Sequence, residues 1–444
     1  MASPSKPPSE QLLNNSHQTK VLKSAILSRL LLLILTLLWR TLLTPYDTSA
    51  PLNPACLNNP SPSPPPPPLL PSLASAIENG IVWDSVYFVR IAQCGYEYEQ
   101  SYAFLPLLPA CIFILSRTVF APVVLLIGHR AVLALSGYVI SNVAFIFAAI
   151  YFYSTAGFCF VLLQSSIHIL LINTMHQAYD AAFLKKRAFL ALWILISGAL
   201  RCICIFVPFI TFQAYGYYNI CLERSSDEMR PWCKARIPLL YNYIQSYYWG
   251  MGFLRYFQLK QLPNFLLASP ILSLAVCSII YYVKSRPEIV LSLGFRASVE
   301  EKSSMAAIFS LKKSHRSNGP QISEKYSSRR QENHNLKLRK ITSQGRGAAE
   351  FIIDHGSSEK LGYASASILP FILHLSFMVA TAFFVMHVQV ATRFLSASPS
   401  VYWFASLLMT CPSMSKRWGY MIWAYSCAYI LLGSLLFSNF YPFT

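Results

Sequence analysis

The chain contains repeated apolar stretches that are long enough to cross a lipid bilayer. A transmembrane α-helix needs about 20 predominantly apolar residues. The sequence has eight candidate segments, at residues 22–43, 103–127, 131–153, 157–175, 188–212, 262–284, 363–388 and 419–438. Only 12% of the residues are charged, against about 25% in soluble domains. The pattern predicts an all-α polytopic membrane protein with about eight transmembrane helices.

Basic residues between the apolar segments indicate the orientation of the chain. Lys and Arg accumulate in the cytosolic loops of membrane proteins, and the formal net charge of +18 reflects this bias. We therefore expect no nucleic acid as a partner. Three basic stretches are assigned to the cytosol with the N-terminus: Gly128-His129-Arg130, Lys185-Lys186-Arg187 and residues 285–362. The loops at 46–102, 213–261 and 389–418 then lie on the lumenal side, and an even number of spans returns the C-terminus to the cytosol.

The regions outside the spans differ in composition. Residues 1–21 are expected to form a disordered cytosolic tail, and residues 22–43 a retained signal-anchor helix. The first lumenal loop, 46–102, contains the run Pro64 to Pro68, which favours a stiff extended spacer. Residues 285–362 carry 14 Lys or Arg and 8 Asp or Glu, which predicts a disordered basic loop. The remaining regions are transmembrane helices, at 103–284 with the lumenal loop 213–261 and at 363–444 with the lumenal loop 389–418.

The cysteines do not indicate a metal site. Eleven are present, and none forms a Cys-x-x-Cys pair, so we expect no zinc. Cys221 and Cys233 lie in one polar loop. A lumenal position would permit a disulfide between them, and the sequence leaves the bonded and free states open.

Asp84 is the strongest single candidate for chemistry. It lies between Trp83 and an apolar stretch, with no Lys or Arg nearer than Arg90. A carboxylate near lipid costs free energy, so such a residue is a functional candidate by default. A carboxylate can also accept a proton from an attacking hydroxyl group.

The lumenal loops supply further residues that suit a phosphorylated sugar lipid. Arg230 and Arg393 could hold a phosphate group. Aromatic rings can stack on sugars, and carboxylate or amide groups can bind hydroxyls. The candidates of these kinds are Trp83, Tyr87, Glu97, Gln245, Tyr248, Trp249 and Gln389. Each also has a structural alternative, because aromatic residues form interfacial belts and arginines near span ends extend to the interface.

At these residues the chain resembles the GPI mannosyltransferase 2 family. Several of its segments are similar in sequence to plant members of that family. The resemblance begins at Trp83-Asp84, Phe88 and Gly95-Tyr96, and resumes at Thr174-Met175-His176-Gln177-Ala178-Tyr179-Asp180. It continues through Trp232-Cys233, residues 241–245, Tyr248-Trp249-Gly250, and residues 387–393. It ends at the C-terminal Asn439-Phe440-Tyr441-Pro442-Phe443-Thr444.

The resemblance implies a GT-C-type glycosyltransferase in the endoplasmic reticulum membrane. The donor would be dolichyl phosphate mannose, and the acceptor a GPI-precursor glycolipid that receives its second mannose in α-1,6 linkage. A β donor and an α product imply one inverting displacement, with Asp84 as base and Arg393 and Arg230 as phosphate ligands. The seven aromatic and polar candidates named above would bind substrate. No cofactor or metal is implied, and an accessory membrane subunit is left open as a partner.

Two departures from the family pattern leave alternatives open. Tyr87 stands where the family usually has a His. Between Tyr153 and Thr174 the family has a longer stretch, so we expect this chain to lack residues that family members have there. An inactive or truncated non-catalytic chain is therefore one alternative. A lipid or solute transporter is another, although the sequence lacks the internal repeat typical of that class.

Overall fold

The computed structural model describes residues 8–44, 56–57, 67–154, 166–184, 186–222, 230–297, 363–410 and 416–439. Within these ranges the secondary structure is helical, with no strand. The α-helices are α1 Pro8–Leu42, α2 Pro71–Glu78, α3 Ser85–Cys94, α4 Leu107–Arg117, α5 Val124–Ile127, α6 His129–Ser154, α7 Ser166–Tyr179, α8 Ala188–Tyr217, α9 Leu240–Tyr247, α10 Leu262–Ser285, α11 Pro287–Leu291, α12 Leu369–Phe384, α13 Ala391–Leu395, α14 Pro399–Thr410 and α15 Lys416–Ser438.

The long helices confirm the polytopic membrane class. Among the described residues, six stretches are long and apolar enough to cross a bilayer: Gln18–Leu42, His129–Ile150, Ala188–Leu222, Leu259–Ser285, Ala366–Phe384 and Arg417–Ser438. A bent pair, Leu107–Arg117 with Ala121–Ile127, would make a seventh. The predicted span 157–175 lies partly outside the described residues, which contain only its later part, in α7.

The predicted span 103–127 is not one straight helix. Its two halves meet at an angle of 69°, and the second half opens with Pro122 in its first turn, where proline is well tolerated. The backbone amides of Leu69 and Leu70, just before α2, donate to the carbonyls of Leu125 and Leu126 at 3.4 and 2.8 Å. The segment therefore leaves the first loop and returns to it, as a re-entrant pair does.

The first and last helices lie side by side and run in the same direction. Trp39 Nε1 of α1 donates to Ser434 Oγ of α15 at 3.0 Å, and Arg40 donates to the Ser438 carbonyl at 2.9 Å. The C-terminal end of α15 is thus on the same side as the C-terminal end of α1. This is the side of the first loop, which we call the Asp84 side.

Helix α6 runs in the opposite direction. The Arg29 guanidinium lies 3.6 Å from the centroid of the Phe145 ring. Tyr138, two turns earlier in α6, donates to the Gly80 carbonyl at 2.9 Å, beside the position where Arg40 binds the Asn79 carbonyl. Arg130, near the start of α6, is therefore on the Asp84 side, and its predicted cytosolic position is wrong.

The predicted lumenal loop 389–418 contains a packed helix, α14. Val401 at one end packs in a buried cluster with Val388 and Ala391. Phe404 lies 5.6 Å from the rings of both Tyr281 and Tyr363, which mark the far end of α10. The buried positions Val401, Phe404, Ala405 and Leu408 follow helical spacing, but at 12 residues the helix is shorter than the about 20 residues expected of a span.

These corrections reverse the predicted side of the membrane for the end of the last helix. The re-entrant pair does not cross the bilayer, whereas α14 runs away from the Asp84 side and α15 returns to it. The end of α15 is consequently on the Asp84 side, opposite to the predicted cytosolic position. The opposite side still holds Lys186-Arg187 and Arg417, which agrees with its assignment to the cytosol.

Helices α6 and α7 run in the same direction. Thr174 of α7 faces Gly198 of α8, so closely that a Cβ on the glycine would lie 2.3 Å from the threonine methyl. The two helices pair as an antiparallel hairpin, and α8 ends on the Asp84 side, where Asn219 donates to Tyr102 Oη at 3.1 Å. Both α6 and α7 therefore run away from that side. Only residues 155–165 separate them, fewer than the about 20 that a helical crossing needs.

Two segments predicted as disordered are partly helical. Helix α1 already begins at Pro8, inside the predicted tail 1–21. Helix α11 lies inside the predicted loop 285–362, and Ile289 there is buried. Gly294 follows with φ of +85° and packs against His176, whose Nε2 donates to the Leu293 carbonyl at 2.7 Å. The rest of the predicted loop, 298–362, lies outside the described residues.

The reversed C-terminus can be tested by glycosylation mapping. We expect an N-glycan acceptor site on an extension appended after Thr444 to be modified in microsomes, like a site inserted in 223–229. A site inserted in 298–362 should stay unmodified. An unmodified C-terminal site beside a modified site in 223–229 would contradict the parallel arrangement of α1 and α15.

Candidate active site

Asp84 directly precedes α3, and its position depends on the backbone of Trp83. Trp83 has φ of +52°, a left-handed conformation that costs a non-glycine residue about 1–2 kcal/mol. Its indole Nε1 donates to the Phe437 carbonyl at 3.1 Å, at the C-terminal end of α15. The last helix thus holds the strained residue that sets the direction of the Asp84 side chain. Such strain persists where the surroundings enforce it, and it is concentrated at functional sites.

Asp84 and Arg393 form an open ion pair. Arg393 Nη1 lies 3.0 Å from Asp84 Oδ2, and the two side chains are 48% and 52% exposed. Arg393 reaches this position from α13, which follows the 3-10 turn Val388–Val390. A pair this exposed adds no more than about 1 kcal/mol to stability. The structure therefore brings together two predicted site residues whose charges are accessible to a ligand.

Glu97, predicted to bind substrate, is instead used inside the protein. Its carboxylate pairs with Arg90, and these side chains are only 1% and 4% exposed. It also accepts a hydrogen bond from the Leu57 amide at 2.7 Å. The neighbouring disulfide Cys56–Cys94 ties the first loop to the end of α3. The Glu97 oxygen lies within 4.8 Å of both sulfur atoms, but these are bonded to each other and are not thiolate ligands for a metal.

The sequence analysis did not predict the disulfide Cys56–Cys94. Its two cysteines are 38 residues apart, with the proline-rich run between them, and no pattern pairs them. The structure also contains the Cys221–Cys233 disulfide, which the sequence left open. Both bonds lie on the Asp84 side, and disulfides persist in oxidising compartments. They support a lumenal position for that side.

Glu99 links the first loop to the residues after Cys221. Its carboxylate accepts hydrogen bonds from Trp232 Nε1 at 2.6 Å and from Tyr248 Oη at 2.7 Å. Arg230 Nε lies 3.6 Å from it, so this predicted phosphate ligand faces Glu99 and not Asp84. Burial and the hydrogen bond to Glu99 raise the pKa of Tyr248, which therefore remains a protonated donor.

Aromatic rings form a continuous wall beside Asp84. Tyr87, one helical turn after Asp84, stacks on Phe104 with ring centroids 4.8 Å apart. Trp249 also meets Phe104, edge-on, with ring centroids 6.2 Å apart. The Trp249 carbonyl accepts a hydrogen bond from His387 Nε2. The predicted residues Tyr87 and Trp249 thus lie together, and the sequence analysis missed Phe104 and His387 as members of the wall.

Gln245 and Gln389 lie farther along the loops. The Gln245 carbonyl accepts from the Met251 amide at 2.9 Å, and this bond shapes the turn after α9. Gln389 Oε1 accepts from Tyr256 Oη at 3.4 Å, and Asn264 donates to the same phenol at 2.8 Å. Both glutamines therefore support the loops that carry Trp249 and Arg393.

Curated proteins similar to the chain are named as GPI mannosyltransferases. "GPI alpha-1,6-mannosyltransferase 2" of Rattus norvegicus is 24% identical over 474 aligned positions, covering 88% of this chain and 84% of the relative. The Homo sapiens protein of the same name is 24% identical over 472 positions, with the same coverage of 88% and 84%. "GPI mannosyltransferase 2" of Drosophila melanogaster is 30% identical over 229 positions, or 50% of this chain and 37% of the relative. No solved structure matches the chain.

The alignments also bear on the short stretch after Tyr153. The 474 aligned positions with the rat protein exceed the 444 residues of this chain, so that relative contains residues that this chain lacks. The family model matches in two parts that overlap at residues 151–168. The break falls where the sequence indicates missing residues and where the structure has two successive helices in the same direction.

The Glu99 link generates a prediction about loop stability. Glu99→Gln removes the charge that accepts from Trp232 and Tyr248, and hydrogen bonds to a charged group contribute about 1.5–3 kcal/mol each. We expect tryptic cleavage near Arg230, in detergent-opened microsomes, to become at least tenfold faster. Glu288→Gln, which changes an exposed acid on the opposite side, should leave the rate unchanged. An unaltered rate in Glu99→Gln would show that Glu99 does not hold this loop.

The family comparison covers almost the whole chain. A model described as "Mannosyltransferase (PIG-V)" matches residues 18–168 and 151–444, and these ranges include Asp84, Arg393 and the aromatic wall. The match confirms the resemblance seen in the sequence. The chain is a glycosyltransferase by its family, and it belongs to the PIG-V mannosyltransferases.

Proposed function

We propose that this chain transfers the second mannose, in α-1,6 linkage, from dolichyl phosphate mannose to the GPI-anchor precursor at the lumenal face of the endoplasmic reticulum. The names of the relatives support the acceptor and the linkage. The observation that carries the proposal is the open Asp84–Arg393 pair. It presents a base and a cation together, beside an aromatic wall, on the side that holds both disulfides.

Asp84 acts as the general base in a single displacement. Its carboxylate takes the proton from the acceptor hydroxyl as that oxygen attacks the anomeric carbon of the donor mannose. The bond between this carbon and the phosphate oxygen breaks, and its electron pair leaves with dolichyl phosphate. One carboxylate suffices for inversion, because no covalent intermediate requires a second.

Arg393 receives the phosphate that leaves. A guanidinium binds phosphate with two parallel hydrogen bonds, and Arg393 lies 3.0 Å from the base. When a donor phosphate binds, Arg393 can release Asp84 and pair with the phosphate instead. The Asp84 carboxylate is then free to accept a proton. Arg230 is the weaker candidate, because it faces Glu99.

The aromatic wall supplies a surface for the sugars. Tyr87, Phe104 and Trp249 lie in contact, and Tyr87 is one turn from Asp84 along α3. Sugar rings stacked on this wall would place a hydroxyl near the carboxylate. Tyr87, where the family usually has a His, supplies a ring and a hydrogen-bond donor.

A catalytically incomplete chain is a second candidate. The specific observation that favours it is the eleven-residue connection, 155–165, between two helices that run in the same direction. A helical crossing needs about 20 residues, so a connection of eleven residues is too short to contain one. Such a chain would keep Asp84 and Arg393 but lack acceptor contacts that the missing segment supplies.

The base assignment predicts the effect of Asp84→Asn. The amide nearly keeps the shape but cannot accept the proton, so we expect mannosyl transfer in microsomes to fall by at least a hundredfold. Expression and membrane insertion should match the parent chain, and Glu288→Gln serves as the acid-to-amide control. Transfer retained in Asp84→Asn would remove this residue from the mechanism.

The phosphate assignment predicts a different kinetic effect for Arg393→Gln. Loss of a charge-assisted contact to phosphate should raise the apparent KM for the donor by about tenfold or more, while the KM for the acceptor changes little. The matched substitution Arg255→Gln alters an arginine elsewhere on the Asp84 side. An equal effect of both substitutions would contradict a specific role for Arg393.

Complementation separates the two candidate functions. In cells that lack the second GPI mannosyltransferase, rescue of GPI-anchored proteins at the surface would show that the chain is active as it stands. Failure despite normal expression, followed by rescue when a relative's segment is inserted after Tyr153, would identify the chain as an incomplete form. Failure of both chains, with and without the inserted segment, would contradict the proposed function.

A further inference from the structure

A cavity of about 630 Å³ adjoins the candidate active site. It lies between α1, α3, α6 and α15. Most of its lining is apolar, with Leu33, Val89, Ile112 and Phe437 among the wall residues. Val82 and Ser85, the close neighbours of Asp84 in the chain, also line it. The cavity therefore reaches the backbone that carries the candidate base.

The cavity extends from the Asp84 side into the membrane. Arg40 lines its upper part and Arg29 its lower part. These residues are eleven positions apart in α1, a rise of about 16 Å. This is about half of the 30 Å hydrocarbon core of a bilayer. The cavity has the depth of a site for a lipid chain that enters from the interface.

The two ends of the cavity differ. At the upper end Arg40 is held by the Ser438 and Asn79 carbonyls, and the adjacent Phe437 carbonyl accepts from Trp83. At the lower end the Arg29 guanidinium lies on the Phe145 ring at 3.6 Å, and its Nε has no hydrogen-bond partner among the described residues. An arginine at this depth is costly and is retained where it faces a cavity or a function. Arg29 closes the apolar space from below.

We propose that this cavity binds the isoprenoid chain of the lipid-phosphate sugar donor. The inference rests on the proposed function, because it takes Asp84 as the site of transfer. In the donor, the reacting anomeric carbon is one phosphate away from the isoprenoid chain. In the acceptor, several sugar rings and a phosphate separate the reacting hydroxyl from the lipid. A lipid cavity whose wall contains the neighbours of Asp84 therefore fits the donor chain and not the acceptor lipid.

Charge supports the same occupant. A donor chain in the cavity places its phosphate at the mouth, on the side where Arg393 pairs with Asp84 and where Arg40 adds a second positive charge. The phosphate would thus lie between two guanidinium groups and above an apolar space. The chain would fill the space from the first isoprene units inward, and Arg29 would limit how many units enter.

A matched pair of substitutions in α1 tests this site. Leu33 lines the cavity, whereas Leu31 does not and is 45% exposed. We expect Leu33→Trp to raise the apparent KM for a long-chain donor by at least tenfold and for a donor with two isoprene units by less than threefold. Leu31→Trp should change neither value. Equal effects of the two substitutions, or a rise only in the KM for the acceptor, would overturn the proposal.

A binding measurement separates this proposal from the proposed function. A polyisoprenyl phosphate that carries a photoactivatable group, and no sugar, is cross-linked to the full-length chain in microsomes. Label on α1 between Arg29 and Arg40, reduced in Leu33→Trp and kept in Leu31→Trp, supports the cavity even if the chain transfers no mannose. Normal transfer with no label on α1 would overturn the cavity assignment and leave the proposed function standing.

Discussion

The contact on which the site depends is made by the last carbonyl groups of the final helix. The carbonyls in the last turn of an α-helix have no partners within the helix, and leaving them unpaired near lipid is costly. In α15 the Phe437 carbonyl accepts from Trp83 and the Ser438 carbonyl accepts from Arg40. These two bonds join the first helix, the last helix and the strained residue before Asp84. They also make the two helices parallel, which sets the side of the membrane on which α15 ends.

Two ion pairs at the ends of α3 differ in environment. Arg90 and Glu97 are almost completely buried, and breaking such a pair by removing one partner is strongly destabilising. Together with the Cys56–Cys94 disulfide they fix the C-terminal end of the helix. Asp84 and Arg393 are half exposed and contribute little to stability. One end of the helix is thus held by buried contacts, and the other carries the exposed charges to which we assign the transfer.

The loops on the Asp84 side support one another through buried polar contacts. Glu99 draws together Trp232 and Tyr248, and the Cys221–Cys233 disulfide closes the same segment. The adjacent Trp249 then meets Phe104 and receives a hydrogen bond from His387. Residues from three distant parts of the chain form one wall in this way. The cavity between α1, α3, α6 and α15 is lined by Val82 and Ser85, the chain neighbours of Asp84.

The sequence by itself determined the membrane class, because long apolar runs with few charges can only be buried in lipid as helices. It also predicted Asp84 as a site residue, since a carboxylate near lipid is costly, and Arg393 as a phosphate ligand. The tertiary structure decided which charges meet. Glu97 and Arg230 look like equally good site residues in the sequence, but they pair with Arg90 and Glu99. Tertiary contacts also made 107–127 re-entrant and gave the short α14 a buried position, because both outcomes depend on neighbours that are distant in the chain and leave no local pattern.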